Sequence, residues 1–289
     1  MDKRVPDQAE GLRRLLARGS ARVISVTGGS PRAGCTTTVL NLAAALAEQG
    51  KDVLVIDECL GEGSVSGTLG AARSSGSFIE VARGELPLER AVLRHPLGFG
   101  VLAASRANRE GCTPSQLAAV LDGSADIVLI DAQLDRQGAL SALALQAHDV
   151  MIVMRVAAQA ITETYACMKR LHYAHAIAQF RVVVNHVQSI DDARTAFDNL
   201  AGVAGRYLSV ALEAAGCIAA DVRIVRALEL SRCVVDAFPS TPAARSYRHL
   251  AAQLQYWPMR PAMSSRAPWL ASAAVTAAQH ADQPSVQHA

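Results

Sequence analysis

The 289-residue sequence lacks several features that would each define a class of protein. None of its apolar runs approaches the roughly 18 residues that a membrane-spanning helix needs. The opening stretch, MDKRVPDQAEGLRR, has no apolar core, so we expect no signal peptide. The six cysteines form no CxxC pair, and we expect them to be the reduced thiols of a cytoplasmic protein rather than a disulfide framework.

Lysine is also scarce, which limits any site that requires an ammonium group. Of 28 basic residues, only Lys3, Lys51 and Lys169 are lysines. The net charge of +2 predicts no strong attraction to nucleic acid. A hydrophobic content of 51% excludes collagen-like and disordered classes, and the length allows one large core or two small ones.

Short runs rich in valine and isoleucine alternate with helical segments between residues 22 and 258. Because these runs are apolar throughout, they predict strands that are buried on both faces, as in a parallel sheet. The alternation predicts a doubly wound α/β domain, with a mostly parallel sheet and helices on both faces. The predicted strands are Arg22–Thr27, Asp52–Asp57, Gly98–Ala103, Asp126–Asp131, Val150–Arg155, Arg181–Asn185 and Val210–Ile218, and the predicted helices are Thr37–Gln49, Pro114–Leu121, Gly138–Ala147, Gln159–Ala176 and Asp191–Tyr207.

Two terminal segments fall outside this alternation. Residues 1–21 form a polar arm in which Ala9, Leu12, Leu15 and Leu16 share one helical face, and a helix this short needs a partner surface. Residues 258–289 contain four prolines and many alanines without periodicity, which predicts a disordered tail with weak or no membrane contact. The predicted organisation is therefore an arm (1–21), one domain (22–257) and a tail (258–289).

The segment Val23–Thr38 has the pattern of a phosphate-binding loop. A predicted strand leads into Gly29, Gly34 follows after four residues, and a predicted helix begins at the threonines, as in G-x-x-x-x-G-K-[ST]. Backbone N–H groups and the positive end of that helix attract phosphate. The hydroxyl of Thr36 is a suitable oxygen ligand for Mg²⁺.

The lysine of that pattern is replaced by Cys35. Loss of a charge-assisted hydrogen bond costs about 1.5–3 kcal/mol, or roughly 10- to 100-fold in affinity. Pro31 has no N–H to donate, and Arg32 is the cation within the loop that can take over part of the missing charge. The alternative is a tight turn between strand and helix that binds no ligand.

Two aspartates end apolar strands at the edge where such folds bind ligands. Asp57 follows VLVI, and Asp131 follows DIVLI in the manner of a Walker B carboxylate, which holds Mg²⁺ through water. The predicted metal set is therefore Thr36, Asp57 and Asp131. The alternative for either aspartate is a helix N-cap or a turn.

The chain resembles the MinD/ParA class of deviant Walker A ATPases over residues 22–255. Four segments carry this resemblance: VTGGSPRAGCTTTVLNLAAALAEQGKDVLVIDE, IVLIDA, VMIVMRVAAQAITETYACMKRL and RVVVNHV. Within that class, DQAEGLRRLL in the arm resembles the DQAxxLR motif of the FlhG branch, which controls flagellar number and placement. The resemblance implies a MinD-like P-loop fold that binds ATP and Mg²⁺ and dimerises around ATP.

The FlhG-type resemblance also implies partners and a location. An FlhF-type GTPase of the SRP class is the expected partner of the arm, and flagellar switch proteins or a flagellar transcription activator are further partners. No direct nucleic-acid contact is expected. The expected location is cytoplasmic, with peripheral contact at the inner membrane that is weak or absent. The residues that match the motif for the FlhF-type partner are Asp7, Gln8, Ala9, Leu12 and Arg13.

Three residues depart from the pattern of that class. Its two loop lysines align with Ser30 and Cys35, and its water-orienting aspartate aligns with Cys59. A neutral thiol cannot replace a carboxylate at neutral pH, so we expect weak or absent hydrolysis, with Asp57 as the remaining catalytic candidate and Glu58 or Glu62 as substitutes.

The resemblance implies that Asn185 contacts adenine. Asn185 completes the set of residues that we expect to bind the nucleotide. These candidates are Gly29, Ser30, Arg32, Ala33, Gly34, Cys35, Thr36, Thr37, Asp131 and Asn185. Two alternatives stay open: an active partitioning or cell-division ATPase of the MinD/ParA type, and a protein-binding module that takes no nucleotide.

Overall fold

Eight strands form one sheet in the computed structural model, which describes residues 21–59, 61–70, 77–122 and 125–265. Their order is β3-β4-β2-β5-β1-β6-β7-β8, and every pair is parallel except β3 with β4. The predicted fold class is therefore confirmed. The strands are β1 (Arg22–Gly28), β2 (Val53–Asp57), β3 (Leu93–Arg94), β4 (Gly100–Ala103), β5 (Ile127–Asp131), β6 (Asp149–Arg155), β7 (Gln179–Val187) and β8 (Ala211–Ala219).

Helices cover both faces of the sheet, which is why the central strands are apolar at consecutive positions. Ile24 and Val26 of β1 contribute to one core, whereas Val23 contributes to the other. Within the described ranges, the helices are α1 (Cys35–Glu48), α2 (Val65–Thr68), α3 (Phe78–Ala82), α4 (Leu88–Ala91), α5 (Pro114–Leu121), α6 (Ala158–His175), α7 (Ile190–Leu208), α8 (Val222–Glu229), α9 (Val234–Ala237) and α10 (Pro242–Leu254). None of the helices described is long and apolar enough to cross a membrane.

The prediction of a helix over Gly138–Ala147 is wrong. Only a short 3₁₀ turn, Ala144–Gln146, forms there. The reason is local turn chemistry: Asp135 Oδ1 accepts hydrogen bonds from the N–H groups of Gln137 and Ala139, and Gly138 has a left-handed φ of 81°. Helix α10 was not predicted, although its Thr241 N-cap and the proline at its first position are recognisable start signals.

The predicted boundary at residue 258 needs a correction. The segment 258–265 packs on the domain, because Arg260 Nη1 donates to Asp149 Oδ1 at 2.7 Å and the N–H of Met263 donates to the carbonyl of Ala147 at 2.9 Å. Arg22 Nη2 also donates to the carbonyl of Trp257 at 2.6 Å. A composition argument could not show this, because it depends on an ion pair over a long sequence separation. Residues 1–20 and 266–289 lie outside the described residues.

Candidate nucleotide and metal site

The loop between β1 and α1 has the backbone of a phosphate cradle. Gly34 adopts a left-handed φ of 97°, and α1 begins directly after it without a side-chain cap. Within the described part of the chain, the N–H groups of Thr36 and Thr37 donate to no protein acceptor. Free first-turn donors and the positive end of the helix dipole favour an anion at this position.

Two glycines let this loop lie close to its neighbours. A Cβ on Gly29 would collide with the backbone of Thr164 in α6, lying 2.7 Å from its N and 2.8 Å from the carbonyl oxygen of Glu163. A Cβ on Gly28 would lie 2.6 Å from Cys35 Sγ. The loop therefore rests directly on α6, and its position is fixed by backbone packing.

Cys35 replaces the expected lysine with a partly buried thiol. Its Sγ lies against Gly28 beneath the loop, and its side chain packs against the apolar core on the α1 face of the sheet. Burial, followed by the nearby charge of Asp131, raises the pKa of Cys35 to about 12. Cys35 is therefore neutral at physiological pH and contributes no positive charge.

Thr36 and Asp131, two of the three predicted metal ligands, contact each other. Thr36 Oγ1 donates a hydrogen bond to Asp131 Oδ2 at 2.8 Å. Burial raises the pKa of Asp131 to about 6, because the favourable hydrogen bond from Thr36 offsets only part of the desolvation and Asp57 adds repulsion. This carboxylate is thus a buried anion at neutral pH.

Asp57 lies opposite Asp131 in the register of β2 and β5. Its Oδ2 accepts two hydrogen bonds from the N–H and the hydroxyl of Ser66, both 2.8 Å long, and its Oδ1 accepts one from the N–H of Cys59 at 3.2 Å. One ligand atom each from Asp57, Cys59 and Asp131 lie within 4.8 Å of one another. The strand ends therefore bring together a possible set of metal ligands.

Glu58, one of the two substitutes expected for the missing aspartate, is not available as a base. It is fully buried and bound by Arg109 Nη1 at 3.3 Å, Ser141 Oγ at 2.5 Å and the N–H of Gln133 at 3.1 Å. Glu62 is exposed on the turn before α2. Sequence reasoning missed the role of Arg109, because it depends on a loop between β4 and α5 that has no motif.

The remaining loop candidates have different surroundings. Asn185 Nδ2 donates to the carbonyl of Ala33 at 2.8 Å, so this residue supports the loop from β7. Arg32 is exposed, has a left-handed φ of 59°, and forms no ion pair with any residue that the structure describes. Ser30 Oγ is buried without a hydrogen-bond partner. This unpartnered hydroxyl lies in the same loop that leads into the free N–H donors of α1, and a hydroxyl is a suitable donor to a phosphate group.

The comparisons with known proteins agree with this architecture. No family model matches the chain. The chain is 29% identical over 246 residues to the antiactivator FleN of Pseudomonas aeruginosa, covering 82% of this chain and 88% of FleN. The cell division ATPase MinD of Pyrococcus furiosus has a TM-score of 0.61 with 22% identity, and the match covers 81% of this chain and 98% of MinD. The chain has the MinD/ParA fold and is similar to FleN.

Two further solved structures support the fold of this FleN-like chain. The MinC:MinD complex of Aquifex aeolicus gives a TM-score of 0.65 at 21% identity, covering 83% of this chain and 97% of that one. MinD of Pyrococcus horikoshii, solved with Mg-ADP, gives a TM-score of 0.62 at 20% identity, covering 82% and 96%. The predicted resemblance is confirmed. The nucleotide-binding roles of the loop residues stay predictions, and the motif residues Asp7, Gln8, Ala9, Leu12 and Arg13 lie outside the described residues.

Proposed function

We propose that this chain regulates flagellar number and placement as a nucleotide-binding switch whose hydrolysis is weak or lost. The observation that carries this proposal is the similarity to FleN, which extends over 88% of that protein. Because the similarity extends over 82% of this chain, it supports a shared role and not merely a shared motif.

The geometry of the loop supports nucleotide binding. The free N–H groups of Thr36 and Thr37 are the expected partners of the phosphates, and the unpartnered hydroxyl of Ser30 in the same loop is a further donor. When bound, Mg²⁺ neutralises phosphate charge. The Thr36 hydroxyl and the carboxylate of Asp131 are the oxygens that would hold it. Arg32 is the expected cation for the phosphates.

The same geometry argues against efficient hydrolysis. Cys35 is a neutral thiol, so no ammonium from that position stabilises the phosphates in the transition state. Burial and the neighbouring Asp131 raise the pKa of Cys59 further above its ordinary value, so its thiol cannot orient water as a carboxylate would. Glu58 is already engaged by Arg109.

The partner-binding arm is the second part of the proposal. Arg22 begins β1 immediately after the arm, and the phosphate loop follows the other end of that strand. Seven residues of strand separate the two ends by about 20 Å. We expect an FlhF-type GTPase to bind the arm and the nucleotide to bind at the loop that follows the other end of β1. A homodimer that forms with ATP, a cytoplasmic location and peripheral contact at the inner membrane belong to the same proposal.

The description of FleN as an antiactivator favours one further partner. An antiactivator acts on an activator, so a flagellar transcription activator is the additional partner that we propose for this chain.

The arm is tested with an FlhF-type GTPase from the same organism. We expect the full chain to stimulate GTP hydrolysis and a chain that lacks residues 1–21 to lose this stimulation. Gln8→Ala should lose most of it, while Glu10→Ala, at a variable position of the motif, should retain it. Flagella counted per cell in strains that carry each variant give the second readout. A truncated chain that stimulates as well as the full chain would contradict this assignment.

A further inference from the structure

Two neighbouring strand ends bring a thiol and two carboxylates together beside the phosphate loop. Asp57 and Asp131 are register partners on β2 and β5, and Cys59 follows Asp57 by two residues. Their ligand atoms lie within 4.8 Å of one another, and Cys59 Sγ lies 3.9 Å from the carbonyl oxygen of Asp131. A tetrahedral zinc ion with one sulfur and two oxygen ligands needs donor atoms about 3.3–3.7 Å apart. Small side-chain movements would therefore bring the three donor atoms to coordination distance from one ion.

The charge of the same cluster points to a cation. Asp57 and Asp131 are each 1% exposed, and neither forms an ion pair with a basic residue among those described. Buried carboxylates are normally paired with a cation or coordinate a metal. Ser66 and Thr36 donate hydrogen bonds to the carboxylate oxygens, but these neutral donors bring no positive charge. Within the part of the chain that the structure describes, the two anions therefore have no basic side chain as a counter-ion.

The thiol determines which cation fits best. Carboxylate, hydroxyl and water oxygens suit Mg²⁺, whereas a thiolate ligand selects softer ions such as Zn²⁺. We propose that Asp57, Cys59 and Asp131 form a binding site for Zn²⁺, with the fourth position left to water or to a phosphate oxygen. Binding releases the Cys59 proton to solvent, so the thiolate and the two carboxylates together carry three negative charges toward the ion. This zinc site lies within the proposed nucleotide site and rests on that proposal for its location. Its three ligands are protein side chains, so zinc binding does not require nucleotide.

Metal affinity of the full chain is the direct test. The chain is reduced, stripped of metal with a chelator, and titrated by calorimetry with Zn²⁺ and separately with Mg²⁺, without nucleotide. We expect one Zn²⁺ per chain and a preference over Mg²⁺. Co²⁺ as a spectroscopic substitute should give a thiolate-to-cobalt charge-transfer band in the near ultraviolet.

Variants at the thiol separate this site from the other cysteines. Cys59→Ser should lose the cobalt band and bind Zn²⁺ at least about 10-fold more weakly, since loss of even an outer-shell partner costs about 10- to 100-fold. Cys59→Asp should shift the preference toward Mg²⁺. Cys217→Ser is the matched control, because Cys217 lies on β8 at the far edge of the sheet, and it should change neither result.

Two results would overturn the inference. One is a wild-type cobalt spectrum without a charge-transfer band, which needs no variant and so does not depend on how a variant folds. The other is unchanged Zn²⁺ affinity in Cys59→Ser. Titration with ATP and Mg²⁺ separates the two proposals: nucleotide binding without Zn²⁺ binding removes this inference alone, whereas Zn²⁺ binding without nucleotide binding removes only the nucleotide part of the proposed function.

Discussion

Thr36 donates a 2.8 Å hydrogen bond from its hydroxyl to Asp131 Oδ2, which joins the first turn of α1 to the end of β5. Both residues belong to the predicted set of metal ligands, and without a bound ion they are hydrogen-bonded to each other. A bound cation would accept both oxygens as ligands, so this hydrogen bond marks the point where protein contacts and metal contacts compete. The negative charge of Asp131 therefore lowers the stability of the protein without a ligand, and we expect it to stabilise the complex with a cation.

Replacement of Asp131 by asparagine should separate stability from binding. The pKa of Asp131 is raised to about 6, so ionising it in the fold costs up to about 3 kcal/mol relative to the unfolded chain. We expect Asp131→Asn to raise the free energy of unfolding at pH 7.5 by about 1–3 kcal/mol, and to weaken ATP binding in the presence of Mg²⁺. Urea unfolding and calorimetry measure the two effects.

The same change has a defined pH dependence. Between the unfolded pKa of about 3.9 and the folded pKa of about 6, the native chain binds more protons at Asp131 than the unfolded chain does. This group's contribution to stability therefore falls as the pH rises through that window and is lowest above it. The advantage of Asp131→Asn should be full above pH 6 and shrink toward pH 4, and an advantage that grows on acidification would contradict the assignment.

A methyl group on Gly29 should dislodge the phosphate loop. The added Cβ would meet the backbone of Thr164 and Glu163, which cannot move aside as a flexible side chain would. We expect Gly29→Ala to lower the free energy of unfolding by about 1–3 kcal/mol and to weaken nucleotide binding. Gly202→Ala is the matched control, since Gly202 lies within α7 with open space around it, and it should raise stability by up to about 1 kcal/mol. Equal effects from the two variants would argue against backbone packing at Gly29.

The central strands were predictable because they are buried on both faces. The runs that end at Asp57 and Asp131 contain only apolar residues before the aspartate, and this pattern also gave their place at the ligand-binding edge. What the sequence could not give were contacts between distant segments. Arg109 binding to Glu58, Asn185 binding to the carbonyl of Ala33, and Arg260 binding to Asp149 each depend on a fold that no local pattern encodes.

The buried charge of Asp149 should be important for stability. This aspartate accepts a hydrogen bond from Arg181 Nε at 2.9 Å and one from Arg260 Nη1 at 2.7 Å, and Arg181 is itself buried. Without Asp149, the buried guanidinium of Arg181 keeps only the partly exposed carboxylate of Glu213 as its counter-charge among the described residues, so Asp149→Ala should lower the free energy of unfolding by about 2–3 kcal/mol, less than the full cost of an unpaired buried charge.

The matched control for Asp149 is the exposed ion pair between Arg226 and Glu229 on α8. Glu229→Ala should change stability by less than about 1 kcal/mol, because solvent screens exposed pairs. Thermal unfolding followed by circular dichroism compares the two variants. If Asp149→Ala and Glu229→Ala lower the stability by equally small amounts, the ion pairs of Asp149 do not contribute to holding the segment 258–265 on the domain.

A restored lysine at position 35 should strengthen nucleotide binding. Position 35 is the lysine position of G-x-x-x-x-G-K-[ST], whose side chain reaches the β- and γ-phosphates. We expect Cys35→Lys to raise ATP affinity by roughly 10- to 100-fold through a charge-assisted hydrogen bond. Cys35→Ser, which adds no charge, is the control and should bring no such gain. Unchanged affinity in Cys35→Lys would mean that the phosphates lie elsewhere.

The central claim is that the altered loop still binds nucleotide without turning it over efficiently. Calorimetric titration of the full chain with ATP and Mg²⁺, with ADP as a control and phosphate release measured on the same sample, tests it most directly. We expect binding tighter than roughly 100 µM, equivalent to more than about 5 kcal/mol of binding free energy, together with little or no phosphate release. Absence of binding up to millimolar ATP would contradict the account and leave a protein that acts through its arm and its surfaces alone.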